Sequence, residues 1–197
     1  MKYYFTILLL FPLFALAQFE PPEVLWNHTF NLYYRDFGRS ICRADDGGFI
    51  IAAACKNFAE DTDVLLIKTN DNGNQEYFRV FGGPHSEGNL RIKSVKDGYV
   101  VGGSTFSHLT DYEIFLLKLD LNLDSVWCAF YGSESMESCY DLKVTEDGGF
   151  IIIGISGGDI YIVKADSCGY LQWERTFETG GMDYGTSIDI IPDGGYI

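Results

Sequence analysis

Trp173-Glu174-Arg175-Thr176-Phe177, followed by Asp193-Gly194-Gly195-Tyr196-Ile197, decides the fold, because the same frame occurs three times before it. It runs from Trp127 to Asp147-Gly148-Gly149-Phe150-Ile151 and from Trp26 to Asp46-Gly47-Gly48-Phe49-Ile50. The remaining copy has Tyr77 for Trp and reaches Asp97-Gly98-Tyr99-Val100 with one Gly fewer. In all four the aromatic residue lies 20 positions before the Asp, and the copies begin 51, 50 and 46 residues apart. Self-similarity at this period marks a repeat architecture, in which each copy buries its apolar face on its neighbours.

Within a copy the punctuation is that of hairpins. Asp-Gly-Gly between apolar runs suits a tight turn: the Asp carboxylate bonds nearby backbone, and Gly accepts positive φ. A second turn, Asn70-Asp71-Asn72-Gly73, recurs as Asp120 to Leu123 and Asp166 to Gly169. Its side-chain oxygens invite a calcium reading, but the spaced carboxylates of a calcium loop are missing, so a turn is expected. These turns divide the first copy into strands at Val24 to Phe30, Ser40 to Ala44, Phe49 to Cys55 and Asp63 to Thr69. The second gives Glu76 to Phe81, Leu90 to Val95, Tyr99 to Ser104 and Glu113 to Leu119. The third gives Val126 to Tyr131, Asp141 to Thr145, Phe150 to Ile155 and Asp159 to Ala165.

Runs such as Val64-Leu65-Leu66-Ile67 and Phe150-Ile151-Ile152-Ile153 are apolar without alternation, which means burial on both faces. Four-stranded antiparallel sheets covered on both faces and repeated about every 50 residues fit an all-β fold, a β-propeller fragment of about three and a half blades. The copies span residues 24–75, 76–125, 126–171 and a truncated 172–197. Closure of the ring, at six to eight blades, is expected to need further copies in a longer protein.

Residues 1–17 read as a signal peptide: Met1-Lys2, an apolar stretch from Phe5 to Leu16, and the small-x-small pattern Ala15-Leu16-Ala17. Residues 18–23, with Pro21 and Pro22, form a linker to the repeats. The expected product is exported, beginning at Gln18. Formal net charge is −14, and −15 once Lys2 is removed; so acidic a chain repels nucleic acid and anionic membrane. No segment supplies the roughly 20 apolar residues of a membrane span. Cys42, Cys55, Cys128, Cys139 and Cys168 are odd in number and contain no C-x-x-C pair, which argues against zinc. Cys128 and Cys139 flank a candidate hairpin, and a disulfide between them stays open.

The full pattern is Trp-x-x-x-Phe, an acidic residue, Ser-Ile, Asp-Gly-Gly-Tyr-Ile, an acidic residue opening an apolar strand, Lys-x-Asp and Gly before the next Trp. It resembles the secreted β-propeller repeats of Bacteroidetes-type surface proteins, which often carry a C-terminal sorting domain for the type nine secretion route. The resemblance covers residues 23–197 and implies a secreted or cell-surface protein, while implying no activity. Tyr77, Gly98 and Leu123 depart from the pattern. Asp166-x-x-Gly169-x-x-x-Trp173 also resembles the tryptophan-docking motif of propeller quinoproteins, without the motif's Thr.

Candidate chemistry is sparse. Asp36, Glu87, Glu137 and Asp183 each lie ten residues before a turn Asp; recurrence in every copy suits a structural tie better than a site built once. Asp63 with Lys68, Glu113 with Lys118 and Asp159 with Lys164 recur at an odd spacing that sends them to opposite faces, so they do not pair within their strand, and pairing with a neighbouring blade stays open. The recurring Trp26, Trp127 and Trp173, with Tyr77, are expected to pack between sheets rather than to stack on sugars. His28, His85 and His108 form no ligand spacing. No catalytic, cofactor-binding or metal residue is assigned, and no cofactor is expected. The function expected is a non-enzymatic surface scaffold or binding module for cell-surface glycan or protein. The alternative is a propeller-type enzyme, a glycan hydrolase or lyase or a quinoprotein, with its site in the missing part or in the loops Lys56 to Thr62 and Phe106 to Tyr112.

Overall fold

The computed structural model describes residues 23–56, 61–106, 112–133, 135–178 and 180–197. The leader at 1–17 and most of the linker at 18–23 lie outside the described residues. Three four-stranded antiparallel sheets follow one another along the chain. The first holds β1 (Arg35–Arg43), β2 (Phe49–Lys56), β3 (Thr62–Thr69) and β4 (Gln75–Phe81). The second holds β5 (Glu87–Val95), β6 (Gly98–Thr105), β7 (Glu113–Leu119) and β8 (Ser125–Tyr131). The third holds β9 (Glu137–Val144), β10 (Phe150–Ser156), β11 (Asp159–Ala165) and β12 (Leu171–Phe177). Each sheet is ordered as its strands occur in sequence.

The turns form as their residues dictate. Asp46, Asp147 and Asp193 each accept, through Oδ1, the amide of the second following Gly at 3.1, 3.0 and 2.9 Å. In the other turn Asn70, Asp120 and Asp166 each accept two amides, two and four residues on, at 2.8–3.0 Å. These oxygens are spent on backbone, which is the turn reading.

The aromatic strand belongs elsewhere than expected. Tyr77, Trp127 and Trp173 pair with Lys68, Lys118 and Lys164, on the strand before the turn. The aromatic strand therefore closes the preceding sheet, and the sheets are offset by one strand from the sequence copies. The short turn at 70–74 and its counterparts hold that strand in its ladder. Residues 24–30, expected as a strand, form none. The first strands of the second and third sheets also start earlier, at Glu87 and Glu137 rather than Leu90 and Asp141, because they run through a bulge that breaks the alternation.

Continuous apolar runs serve two interfaces at once. On β7, Phe115, Leu117 and Leu119 pack toward the first sheet, while Ile114 and Leu116 pack toward the third. Tyr99 and Val101 of β6 face one way and Val100 the other. Period-2 alternation survives, with both faces apolar. The far face of the third sheet is covered by Ile188, Ile190 and Tyr196, joined by an Ile190–Tyr196 bridge. Phe30, Leu32 and Tyr33 cover part of the first sheet's leading face. Ile41 on that face remains 54% exposed, whereas its counterparts Ile92, Leu142 and Ile188 are at most 2% exposed.

Each sheet contains a buried lysine, and its partner lies within the same sheet. Lys68, Lys118 and Lys164 are buried, and each bonds the turn Asp of its own sheet: Asp46 at 2.6 Å, Asp97 at 3.0 Å and Asp147 at 3.0 Å. Each also donates to the carbonyl of the next residue, Thr69, Leu119 or Ala165, at 2.9–3.1 Å. Pairing between blades, and the small energies of exposed pairs, are thus replaced by buried ammoniums held within one sheet. The reason is lateral: the lysine reaches across the ladder to the hairpin turn rather than along its own strand.

The pair is asymmetric. Lys164 is 5% exposed and Asp147 54%. Asp147→Ala strips a buried cation of its carboxylate, and a loss of about 2 kcal/mol is expected. Lys164→Met leaves a carboxylate that water already solvates, at about 1 kcal/mol. The hydroxyl of Thr145, the Gly149 amide and Lys164 together hold the Asp147 carboxyl down at about 2. Its contribution is present above the ordinary carboxylate range and lost as pH falls through the folded value. Melting curves of wild type and Asp147→Ala should therefore converge between about pH 4 and pH 2. A constant gap over that window would refute the pairing.

The five cysteines are free. Cys128 lies on β8 and buried Cys139 on β9, in different sheets, so the candidate hairpin between them does not exist.

Candidate functional site

The recurring carboxylates are structural ties. Asp36 Oδ2 accepts the amides of Leu32 and Tyr33 at 2.7 and 3.1 Å. Glu87 accepts the Gly83 amide at 3.3 Å and the Thr105 hydroxyl at 2.9 Å. Glu137 accepts the hydroxyls of Ser133 and Ser156 at 3.1 and 2.8 Å, and burial raises its pKa. Asp183 lies at the corresponding connection, where its amide donates to Gly158. Asp36, Glu87 and Glu137 each fasten the start of their sheet's first strand to the loop before it or to the next strand.

The recurring aromatics are packing residues. Trp127 of the second sheet lies over Gly169 of the third and meets Phe150 at 6.1 Å between ring centroids. Trp26 lies in the same way over Gly73 and meets Phe49 at 5.8 Å, and Trp173 meets Tyr196 at 5.9 Å. The Gly of the quinoprotein-like motif thus receives a Trp from the neighbouring sheet rather than its own. His28 Nε2 lies 3.2 Å from the Asn72 carbonyl and His85 meets Phe106 edge to face; His108 lies outside the described residues. Among the described residues no group of three or more His, Cys, Asp or Glu is placed to hold a metal ion. Nor is any helix among them long and apolar enough to cross a membrane.

What remains is a groove of about 320 Å³ at the starts of β1 and β5, bordered by β9. Phe37 and Arg39 come from β1, Asn89 from β5 and Ser138 from β9. Thr62 and Tyr112, at the ends of the two long loops, complete the wall. Glu60 and most of both loops lie outside the described residues.

Bulges build this groove. The β1–β2 register shifts between Gly38 and Ser40, leaving Arg39 as the extra residue. The β5–β6 register shifts between Gly88 and Arg91, leaving Asn89 and Leu90. Asn89 takes φ 53°, a left-handed conformation that short polar side chains tolerate, and its amide donates to Ser104 Oγ at 3.4 Å. The same hydroxyl accepts the Cys139 amide at 3.0 Å, linking the second and third sheets beneath the groove.

A cleft of about 270 Å³ between the first two sheets has Phe81, Phe115 and Phe130 in its walls and few polar groups. It offers packing, with little to orient a ligand. Sequence reasoning missed Arg39 and Asn89 because it sought recurrence. The signal was the opposite, residues unlike their counterparts in the other copies: Arg39 against Leu90, Tyr140 and Thr186, and Asn89 against Gly38, Cys139 and Gly185. Compared with protein-family models and with curated proteins, the chain matches none.

Proposed function

We propose that the chain belongs to an exported β-propeller serving as a non-enzymatic binding module or scaffold at the cell surface. The observation that carries the binding reading is the groove. It combines a cation, an amide, hydroxyls and aromatic walls, while its carboxylate, Glu87, is engaged with Thr105 and Gly83. Such a mix orients a ligand without supplying a free acid–base pair for hydrolysis. The propeller reading draws on Trp26, which sits on the first sheet as Trp127 sits on the third. Residues 24–30 thus hold the place of a closing strand from a sheet ahead of the first, and the exposed Ile41 marks where that sheet would pack. In a ring, that sheet is the last one.

Two measurements test the proposal. Mature secreted protein should begin at Gln18 and image as a closed ring; an open arc, or a product beginning at Met1, counts against it. A screen of the full-length product against cell-surface glycans and proteins should return a binder. Silence throughout would remove the binding reading.

A further inference from the structure

We propose that the groove binds a carboxylated sugar, a hexuronate unit, through Arg39 and Asn89; this rests on the binding-module reading above. Arg39 is the arginine in the groove wall. Among the described residues Arg39 makes no hydrogen bond or ion pair, and its guanidinium lies 5.8 Å from the centroid of the Phe37 ring. An aromatic face holds a guanidinium in place while leaving its N–H fork unspent. That fork matches a carboxylate in two parallel hydrogen bonds.

The fold does not ask for these residues. At the position of Arg39 the second and third sheets carry Leu90 and Tyr140, and both build the same strand. At the position of Asn89 the other copies carry Gly38, Cys139 and Gly185, none of them at positive φ, so the left-handed turn that carries this amide belongs to the second sheet alone. Both residues sit in bulges, which re-aim side chains, and both line the same groove.

The rest of the lining fits a sugar rather than a simple carboxylate. Phe37 and Tyr112 offer apolar faces for ring C–H groups, and Ser86 and Ser138 offer hydroxyls. The volume of about 320 Å³ falls at the small end of ligand sites. Glu87, the acidic neighbour in the groove, is 7% exposed. It leaves Arg39 as the groove's accessible charge.

The test is calorimetric titration of the full-length product with trigalacturonate and with neutral galactotriose. Trigalacturonate should bind at least about tenfold more tightly than the neutral trimer, and Arg39→Gln should remove that preference. Arg39→Lys, which keeps charge without the fork, should fall between. Asn89→Gly keeps the left-handed backbone and should weaken trigalacturonate without lowering the melting temperature. Arg39 is exposed and unbonded, so Arg39→Gln should melt with wild type. Equal binding of both trimers, or trigalacturonate binding indifferent to Arg39→Gln, overturns the hexuronate assignment while the module reading stands. Absence of trigalacturonate binding overturns it too, and the module reading then falls only if the broader screen is silent.

Discussion

Gly169→Leu should destabilise the protein by about 3 kcal/mol, a fall of roughly 10 °C in melting temperature for a chain of this size. Gly169 has φ 83°, and a Cβ there would lie 2.7 Å from the Trp127 ring. The turn cannot retreat, because the Tyr131 hydroxyl donates to the Gly169 carbonyl at 2.7 Å. Gly73 stands in the same relation to Trp26, with φ 75° and a contact at 2.6 Å. At the interface between the first and second sheets, however, the turn residue is Leu123, fully buried at φ 62°, and the aromatic is Tyr77. Both residues belong to one core cluster. Two departures from the repeat are therefore one compensated exchange: a smaller aromatic ring with a side chain filling the space. It follows that Trp127→Tyr should recover at least half of the loss caused by Gly169→Leu. A double-mutant cycle with no coupling, or a Gly169→Leu protein that melts with wild type, would sink this account.

Gly149→Ala should cost about 3 kcal/mol, while Gly148→Ala, one residue away, should cost about 1 kcal/mol. A Cβ on Gly149 would lie 2.4 Å from the Ala165 carbonyl oxygen and 2.7 Å from Lys164 Nζ. It would drive the lysine from the carbonyl it bonds. Gly148 has positive φ, at 77°, but its nearest neighbour would be Ser167 Cβ at 3.8 Å, so only backbone preference is lost. The second sheet supports the ranking. Its turn keeps one glycine, and Gly98 is the one a Cβ would bring within 2.1 Å of the Leu119 carbonyl oxygen. The glycine dropped from that copy is the one with free space around it in the first, Gly47. Comparable losses from both alanine variants, measured by denaturant unfolding, would show that packing around the lysine is not what the second glycine serves.

The strands were legible in the sequence because the turns that bound them are chemical: Asp-Gly-Gly and Asn-Asp-Asn-Gly end a run wherever they occur. Their grouping was less so. A periodic sequence can be cut at any phase, and only the ladder from Lys68 to Tyr77 and its counterparts shows that the aromatic strand ends a sheet. The buried lysines escaped for a related reason. Alternation along β3, β7 or β11 describes faces, whereas the turn Asp arrives across the ladder from the hairpin. Asp36, Glu87 and Glu137 were readable as ties, since what recurs in each copy serves each copy. Arg39 and Asn89 were not, because they sit in bulges, where the period that guides sequence reading is interrupted.

The lysine arrangement has a bearing on how such an array can change in length. Lys68, Asp46 and the Thr69 carbonyl all come from one sheet, and so do their counterparts in the next two. Each buried lysine thus finds its counterion inside its own module, and the ion pair that joins the first two sheets, Arg79 with Asp124 at 3.5 Å, is exposed on both sides. Gene duplication or loss of a whole module thus strands no buried charge and demands no new counterion. Lineages can then lengthen or shorten the protein in steps of about 50 residues.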